Sequence, residues 1–317
     1  MTVNKTAFLF PGQGSQHLGM GRSLYDSSRA AKDAFIEASD ALGFDLADVC
    51  FNGPEERLNS TEVTQPALLA AGIAALRVFN ENFSLAPAYM AGHSLGEYTA
   101  LVAAGAIQFR DAVRVVRLRG VFMQEAAPLG AGMMAAILGL GIERVAEACE
   151  KATTADSIAV PANINSPEQI VISGHKEAVQ RAIEIAKGMG AKKAVLLPVS
   201  VPSHSPLMSE AAKRLERELA AIEIKDLDTP LISNVEAVPV TSAADIRGLL
   251  VRQLTSPVRW VDVIRRIRKE GVDTVIEIGP GRVLTGLAKR IEAGFGACLN
   301  LGAIEEIEKI RASLGGV

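Results

Sequence analysis

Hydrophobic and polar positions in the first part of the chain follow two different periods. Two apolar runs of about five residues predict buried strands, and four stretches with apolar positions every three or four residues predict helices: strands at 6–10 and 87–91, and helices at 29–42, 65–83, 95–106 and 111–126. Pro66 suits the first turn of its helix, where a proline sacrifices no helical hydrogen bond. Strands separated by helices indicate a mostly parallel sheet.

Shorter elements replace this pattern after a Pro- and Gly-containing break at 128–132. They are predicted as strands at 133–138, 158–164, 169–173 and 194–197, and helices at 143–151 and 176–188. The resulting β-α-β-β-α-β order is typical of a ferredoxin-like arrangement. We therefore predict a ferredoxin-like α+β subdomain at 128–197, inserted into a large domain formed by 1–127 and 198–317.

Longer elements return in the last third of the chain. Ser205 is the predicted N-cap of a helix that has Pro206 at its first position. Leucine and alanine residues recur every four positions along this helix and form one apolar stripe. The remaining elements are predicted as strands at 230–235 and 274–278, and helices at 245–254, 260–270 and 283–291.

Composition excludes several classes of protein. Of the 317 residues, 49% are hydrophobic and 22% charged, as in ordinary globular proteins. Aromatic residues make up 4% and the net charge is −3, so neither a stacking surface nor a generally basic surface for nucleic acid is expected. Residues 1–6 lack the features of a signal peptide, and no apolar run approaches the roughly 20 residues that span a bilayer. We expect a soluble cytoplasmic protein.

Cysteine usage points the same way. Cys50, Cys149 and Cys298 are odd in number, far apart and without a C-x-x-C pair. This is typical of a reducing compartment and predicts neither disulfides nor a zinc site.

A candidate nucleophile lies at residues 92–96, Gly-His-Ser-Leu-Gly. A predicted strand before this G-x-S-x-G motif and a predicted helix after it are the context of a nucleophile elbow, with Ser94 on the turn. Glycines at 92 and 96 allow the backbone to fold back tightly. The helix N-terminus after Ser94 favours the negative charge that develops in acyl transfer. The large domain is accordingly predicted to be α/β-hydrolase-like.

The glycine-containing loop at 11–16 invites a phosphate-binding interpretation, which its spacing does not support. The third glycine of G-x-G-x-x-G would fall at His17, and no G-K-[ST] follows. The loop is better interpreted as backbone held close to a neighbour at the carboxyl end of a strand.

A serine nucleophile needs a base, and the chain has four histidines. His93 is adjacent to Ser94 and must point elsewhere, whereas His204 lies before a predicted helix, whose N-terminus favours a neutral imidazole. The alternative is that His204 is an ordinary surface histidine. No acidic residue is placed to complete a triad, so a backbone carbonyl or an amide side chain would have to orient the ring.

Arg119 interrupts an otherwise apolar helical pattern. Two interpretations remain open: the side chain extends to solvent, or it is buried and awaits an anionic partner, because a lone buried charge is costly.

The chain resembles the malonyl-CoA:acyl carrier protein transacylases, the acyltransferases that supply fatty acid synthesis. The resemblance extends from end to end and rests on these segments: Phe-Pro-Gly-Gln-Gly-Ser-Gln at 10–16, Thr-Gln-Pro-Ala at 64–67, Gly-His-Ser-Leu-Gly-Glu at 92–97, Arg119-Gly120, Asn163, Val-Pro-Ser-His at 201–204, Gln253-Leu254 and Ile-Gly-Pro-Gly at 278–281.

The resemblance implies a role for each of these positions. Ser94 would be the nucleophile, His204 its base, and Arg119 the partner of the malonyl carboxylate. The other implied site residues are the oxyanion-hole amides of Gln13 and Leu95, the support of the base by Gln253, and substrate contacts by Gln65, Asn163 and Gln253. Malonyl-CoA and acyl carrier protein would be the partners, with no metal or bound cofactor and with neither nucleic acid nor membrane involved.

Two other functions share parts of this pattern. A serine thioesterase or esterase would use the same Ser94–His204 pair with water as acceptor, although an arginine aimed at a substrate carboxylate favours the transferase. A non-catalytic acyl-binding module would tolerate the loss of Ser94, Gln13 or His204, and all three are present. Because Ser203, beside His204, is small, the sequence leaves open the width of the acyl pocket and hence the choice between malonyl and methylmalonyl groups.

Two basic pairs complete the set of candidates. Lys192-Lys193 and Lys289-Arg290 are hypothesised to meet coenzyme A phosphates or the acidic carrier protein. The alternative is ordinary solvated charge.

Overall fold

Ten strands form two separate sheets in the computed structural model, which describes residues 5–128, 130–199 and 201–314. In chain order these strands are β1 (Lys5–Phe10), β2 (Tyr89–Gly92), β3 (Gly132–Leu138), β4 (Ala159–Ser166), β5 (Gln169–His175), β6 (Lys193–Leu196), β7 (Leu231–Ile232), β8 (Pro239–Val240), β9 (Val272–Ile278) and β10 (Ala297–Leu301). Leu129 in the predicted break and Ser200 in the loop before His204 lie outside the described residues.

Fourteen α-helices accompany the sheets within these described ranges. They are α1 (Arg22–Ser27), α2 (Arg29–Leu42), α3 (Leu46–Asn52), α4 (Glu55–Leu58), α5 (Thr61–Asn82), α6 (Gly96–Ala103), α7 (Phe109–Glu125), α8 (Ile142–Ala152), α9 (Lys176–Gly188), α10 (Ser209–Ala220), α11 (Ala243–Gln253), α12 (Trp260–Lys269), α13 (Val283–Ile291) and α14 (Ile307–Ser313).

The larger sheet has the order β10-β9-β1-β2-β7-β8 and is parallel except for β8, which runs antiparallel to β7. Its central strand β1 is apolar from Ala7 to Phe10, where both faces of the sheet are covered. Phe8 and Phe10 pack into the hydrophobic cluster on one face, and Ala7 and Leu9 pack into the cluster on the other. The predicted central, mostly parallel sheet is confirmed.

The smaller sheet has the order β4-β5-β3-β6, and every pairing in it is antiparallel. Helices α8 and α9 pack on one face around a separate hydrophobic cluster that includes Ile137, Val145, Ile172 and Val179. This strand order with two helices on one side is the predicted ferredoxin-like arrangement. Backbone hydrogen bonds from Val258 N to Ala162 O (2.8 Å) and from Ile164 N to Val258 O (2.9 Å) tie β4 to the segment that precedes α12.

Helix α5 lies in the core beside the larger sheet. It starts at Thr61, earlier than predicted, because the extended residue Ser60 presents its carbonyl oxygen to the N–H groups of Val63 and Thr64. Pro66 therefore lies in the second turn, and its predicted first-turn position was wrong. The helix is long and apolar enough to cross a membrane by length and composition, but 89% of its most apolar stretch is buried inside this fold.

The structure also changes two predictions after residue 200. Pro206–Met208 forms a 3₁₀ turn before α10, and the Ser205 hydroxyl donates to the Pro202 carbonyl at 2.6 Å instead of capping the turn. The predicted strand at 230–235 contains only Leu231 and Ile232, because the chain turns back at once through a hydrogen bond from Ser233 N to Val238 O.

Candidate active site

Ser94 lies on a tight turn between β2 and α6, with a positive φ of 51° that is uncommon for a residue with a side chain. Only glycine fits on either side of it. A Cβ atom on Gly92 would meet the Gly96 carbonyl at 1.9 Å, and a Cβ on Gly96 would meet the Phe10 carbonyl oxygen at 2.0 Å. The strand, turn and helix around Ser94 thus have the geometry of a nucleophile elbow.

Ser94 and His204, which are 110 positions apart in the sequence, are brought together by the fold. The Oγ of Ser94 lies 2.8 Å from Nε2 of His204, and Nδ1 of the same ring lies 2.8 Å from the main-chain oxygen of Gln253. A carbonyl oxygen can only accept, so Nδ1 carries the proton of the neutral ring and Nε2 is left to accept from the Ser94 hydroxyl. The ring is therefore in the tautomer of a general base.

His204 is almost completely buried, with 4% of its surface exposed. Burial, followed by the nearby positive charge of Arg119, lowers the pKa of His204 from 6.5 to about 3. The neutral form expected from the sequence is thus supported, but burial is the main cause, whereas the sequence argument relied on the helix that follows. The predicted surface alternative for His204 was wrong.

Arg119 is also buried, with 1% of its surface exposed, so its predicted solvent-facing alternative was wrong too. One guanidinium nitrogen donates to Gln65 Oε1 at 2.7 Å. The other donates to Gln253 Oε1 at 2.9 Å and to Ser94 Oγ at 3.2 Å. Burial lowers the pKa of Arg119, while Tyr98 and Glu97 act in the opposite direction. The guanidinium is held by neutral oxygens and reaches the nucleophile directly.

A cavity of about 250 Å³ opens above Ser94, between the larger sheet and the smaller one. Residues of the smaller sheet, of helices α5 and α7 and of the connecting segments line it: Gln13, Gly14, Gln16, Asn59, Thr61, His93, Ser94, Leu95, Arg119, Met123, Met134, Asn163, Leu197, Pro198, Val199, Val201, Ser203 and His204. This volume is large enough for a small acyl group, and the lining presents one cation, Arg119, beside the nucleophile.

Two main-chain amides at the cavity are candidates for an oxyanion hole. In the described part of the chain, the N–H groups of Gln13 and Leu95 donate to no protein acceptor, while the N–H of Ser94 itself donates to Asn234 Oδ1 at 2.7 Å. The loop that carries Gln13 is pressed against the elbow, since a Cβ on Gly12 would lie 2.2 Å from the His93 carbonyl oxygen. The sequence-based view of this loop as closely held backbone is supported.

The other predicted substrate-contacting residues occupy two kinds of position. Asn163 lies on β4 of the smaller sheet and lines the cavity. Gln65 and Gln253 are fully buried and do not line the cavity. Both accept hydrogen bonds from Arg119, which does line it. His93 points away from the nucleophile, as expected, with Nε2 at 2.8 Å from Asn165 Oδ1.

Sequence reasoning missed two residues behind the nucleophile, Glu97 and Asn234. The Asn234 side chain bridges the elbow by accepting from Ser94 N and donating to the Gly92 carbonyl at 2.7 Å. The Asn234 main-chain N–H donates to Glu97 Oε1 at 2.9 Å. One signal was available: Glu97 is the only charged residue of an otherwise apolar helix, although a carboxylate in a first turn also suits the helix dipole.

Known proteins resemble this chain along nearly its whole length. The acyl transferase domain family matches residues 7–293. The malonyl CoA-acyl carrier protein transacylase of Escherichia coli K12 is 52% identical over 289 residues, covering 91% of this chain and 93% of the relative. The solved structure of that enzyme from Coxiella burnetii has a TM-score of 0.95 and 47% identity, covering 98% of both chains.

A second solved structure contains a partner. It is a malonyl-transacylase in complex with its type II PKS acyl-carrier protein, with a TM-score of 0.94 and 48% identity, covering 98% of this chain and 99% of that chain.

Proposed function

Since the chain belongs to the acyl transferase domain family, we propose that it transfers the malonyl group of malonyl-CoA to the phosphopantetheine thiol of an acyl carrier protein. This activity supplies fatty acid synthesis. The observation that carries the proposal is that Ser94 Oγ lies within hydrogen-bond distance of both the His204 base and the Arg119 guanidinium. A nucleophile placed directly beside a buried cation suits an acyl group that ends in a carboxylate.

The first half-reaction forms a malonyl ester on Ser94. His204 Nε2 takes the hydroxyl proton as Oγ attacks the thioester carbonyl, and the oxygen that gains negative charge is bound by the amides of Gln13 and Leu95. The carbon–sulfur bond then breaks, and the coenzyme A thiolate leaves with the proton held by His204. The low pKa of His204 keeps its ring unprotonated at neutral pH, so the lone pair of Nε2 is free to accept from the Ser94 hydroxyl.

The second half-reaction reverses these steps with a different thiol. His204 takes the proton of the phosphopantetheine thiol, the sulfur attacks the ester carbon, and the same two amides bind the oxyanion. Ser94 Oγ leaves and recovers its proton from His204. The enzyme returns to its starting state, and the malonyl group is carried by the carrier protein.

Arg119 selects the acyl group. Its guanidinium can bind the free malonyl carboxylate through two parallel hydrogen bonds. Asn163, on the opposite wall, contacts the acyl group from the smaller sheet, while Gln65 and Gln253 hold Arg119 in place.

This chemistry needs no metal and no bound cofactor, because the base, the anion-binding amides and the cation all come from the chain. We place the enzyme in the cytoplasm. The catalytic residues belong to the large domain, 1–127 and 198–317, and the inserted subdomain, 128–197, closes the cavity from the other side.

The two basic pairs are proposed to bind the carrier protein or coenzyme A phosphates. They meet at one corner of the molecule: Lys192 Nζ lies 3.1 Å from Glu168 Oε2, and an Arg290 guanidinium nitrogen lies 3.2 Å from Oε1 of the adjacent Gln169. The two pairs therefore lie near the same turn between β4 and β5, where Glu168 neutralises part of the charge of Lys192.

The test is the intact mass of the protein after mixing with malonyl-CoA, with and without carrier protein. We expect one malonyl group on wild type, none on Ser94→Ala, and rapid loss of the group only when carrier protein is added. Acylation of Ser94→Ala would refute the nucleophile assignment. Loss of the group to water as fast as to carrier protein would identify a thioesterase instead.

A further inference from the structure

The hydrogen-bond partners of the Gln253 side-chain amide determine which way the amide faces. Its nitrogen Nε2 faces two acceptors, Glu97 Oε2 and the Ser94 main-chain oxygen, the latter at 3.0 Å. Its oxygen Oε1 accepts from Arg119 at 2.9 Å. Acceptors on one side and a donor on the other allow only one placement of the amide oxygen and nitrogen.

Glu97 is one of the groups that impose this orientation. It is 1% exposed, and its two oxygens accept from Asn234 N and from Gln253 Nε2. Burial raises the pKa of the Glu97 carboxyl to about 7, and the two donors oppose this effect because they favour the ionised form. Hydrogen bonds to an ionised acceptor are about twice as strong as those between neutral groups.

Glu97 and Arg119 carry opposite charges but are separated by the amide of Gln253. A carboxylate in direct contact with Arg119 would occupy the nitrogens that a substrate carboxylate must bind. The neutral oxygens of Gln65 and Gln253 hold the guanidinium without cancelling its charge. The negative charge of Glu97 therefore balances the positive charge of Arg119 without touching the guanidinium. The guanidinium remains able to bind a carboxylate in the cavity.

We propose that Glu97 is a positioning residue for acyl-group selectivity: it fixes the amide of Gln253 so that an oxygen, not an N–H group, faces Arg119. The guanidinium is thereby kept ready for a substrate carboxylate. This inference rests on the proposed role of Arg119 in binding malonyl groups.

A different role for Glu97 makes a different prediction. Through Asn234, Glu97 also supports the elbow that carries Ser94. Loss of elbow support would slow acylation by every thioester equally. Loss of the Gln253 orientation would slow only acylation by thioesters with a terminal carboxylate, so the ratio of malonyl to acetyl kcat/KM separates the two roles.

The decisive variant is Glu97→Met, which has similar volume and no comparable acceptor. We expect its malonyl-to-acetyl ratio of kcat/KM to fall about tenfold to hundredfold, the value of one hydrogen bond to a charged group, with the loss mainly in KM for malonyl-CoA. Glu97→Gln keeps one amide oxygen and should recover part of the ratio. If Glu97→Met does not fold, a ratio lowered at least threefold in Glu97→Gln is the expected result.

Glu277→Met is the matched control. Glu277 is another buried carboxylate, which accepts from Leu284 N and Thr285 N at the start of α13 and touches no site residue described above. Its substitution should lower the free energy of unfolding without changing the ratio. An unchanged ratio in both folded Glu97 variants, or equal losses for the two thioesters, would overturn the proposal.

Arg119→Ala belongs in the same assay. If it lowers both rates equally, the role of Arg119 in the proposed function is wrong. If Arg119→Ala is selective and Glu97→Met is not, only the present inference fails.

Discussion

His204 Nδ1 donates to the main-chain oxygen of Gln253 at 2.8 Å, so a peptide carbonyl, and not a carboxylate, orients the base. A carbonyl fixes the tautomer and direction of the ring but brings no full negative charge to stabilise the imidazolium form. Burial of the ring and the positive charge of Arg119 also oppose protonation, and the pKa of His204 falls to about 3. The base is thus neutral over the whole physiological range.

His204→Ala should slow both half-reactions, because the same Nε2 atom serves the hydroxyl in the first and the thiol in the second. Loss of a general base costs about 10²- to 10⁴-fold. Rapid-quench measurement of malonyl-Ser94 formation and of its transfer to carrier protein gives the two rates separately. A variant that acylates at the wild-type rate would remove His204 from the mechanism.

The buried neutral state of His204 should appear in the stability of the protein. The unfolded chain binds a proton at the ordinary pKa of 6.5, whereas the folded protein binds it only near 3. Acidification below 6.5 therefore favours the unfolded state, by up to about 1.4 kcal/mol per pH unit from this group.

The comparison is between wild type and His204→Gln, whose side chain does not titrate. Free energies of unfolding from urea titrations at pH 7.5, 6.0 and 5.0 should show the wild type losing stability relative to the variant as pH falls. Glu97 has a pKa raised by burial to about 7 and acts in the opposite direction between 7 and 4.5, but it is present in both proteins. A difference that does not change with pH would contradict the prediction.

Arg119→Ala should lose most malonyl transfer while acetyl transfer is retained or rises. Acetyl-CoA has no free carboxylate and leaves the buried guanidinium without an anionic partner, and truncating one partner of a buried charge pair costs about 2–5 kcal/mol. Arg119→Lys should recover only part of the malonyl rate, since lysine cannot form two parallel hydrogen bonds. The measurement is kcat/KM for both thioesters. If Arg119→Ala lowers kcat/KM equally for both thioesters, the role of Arg119 is structural and not selective.

Charge reversal at either basic pair, Lys192-Lys193 or Lys289-Arg290, should raise KM for carrier protein. The effect should be largest at low salt, where exposed charges are least screened. Reversal of Arg29 and Lys32, two exposed residues on α2 in a different part of the fold, is the control and should leave KM unchanged. An unchanged KM at low salt in both test variants would identify the pairs as ordinary surface charge.

Local pattern alone predicted most of the elements and the position of the nucleophile. The helices at Lys176–Gly188 and Val283–Ile291 begin and end where the sequence indicates, because apolar periodicity and flanking polar residues act within a few positions of each other. The elbow is local in part: a Cβ on Gly92 would meet Gly96 across one turn, whereas a Cβ on Gly96 would meet the Phe10 carbonyl oxygen on the neighbouring strand β1.

Only the tertiary structure decided how the site is connected. The contacts that fix it join residues far apart in sequence, such as Asn234 to Gly92 across 142 positions and Gln253 to Ser94 across 159. The sequence showed an arginine in an apolar helix, a histidine before a helix and a carboxylate after the serine. It did not show that Arg119, His204 and Glu97 are all buried around Gln253, because burial and hydrogen-bond partners are set by which elements pack together and not by the period of any one of them.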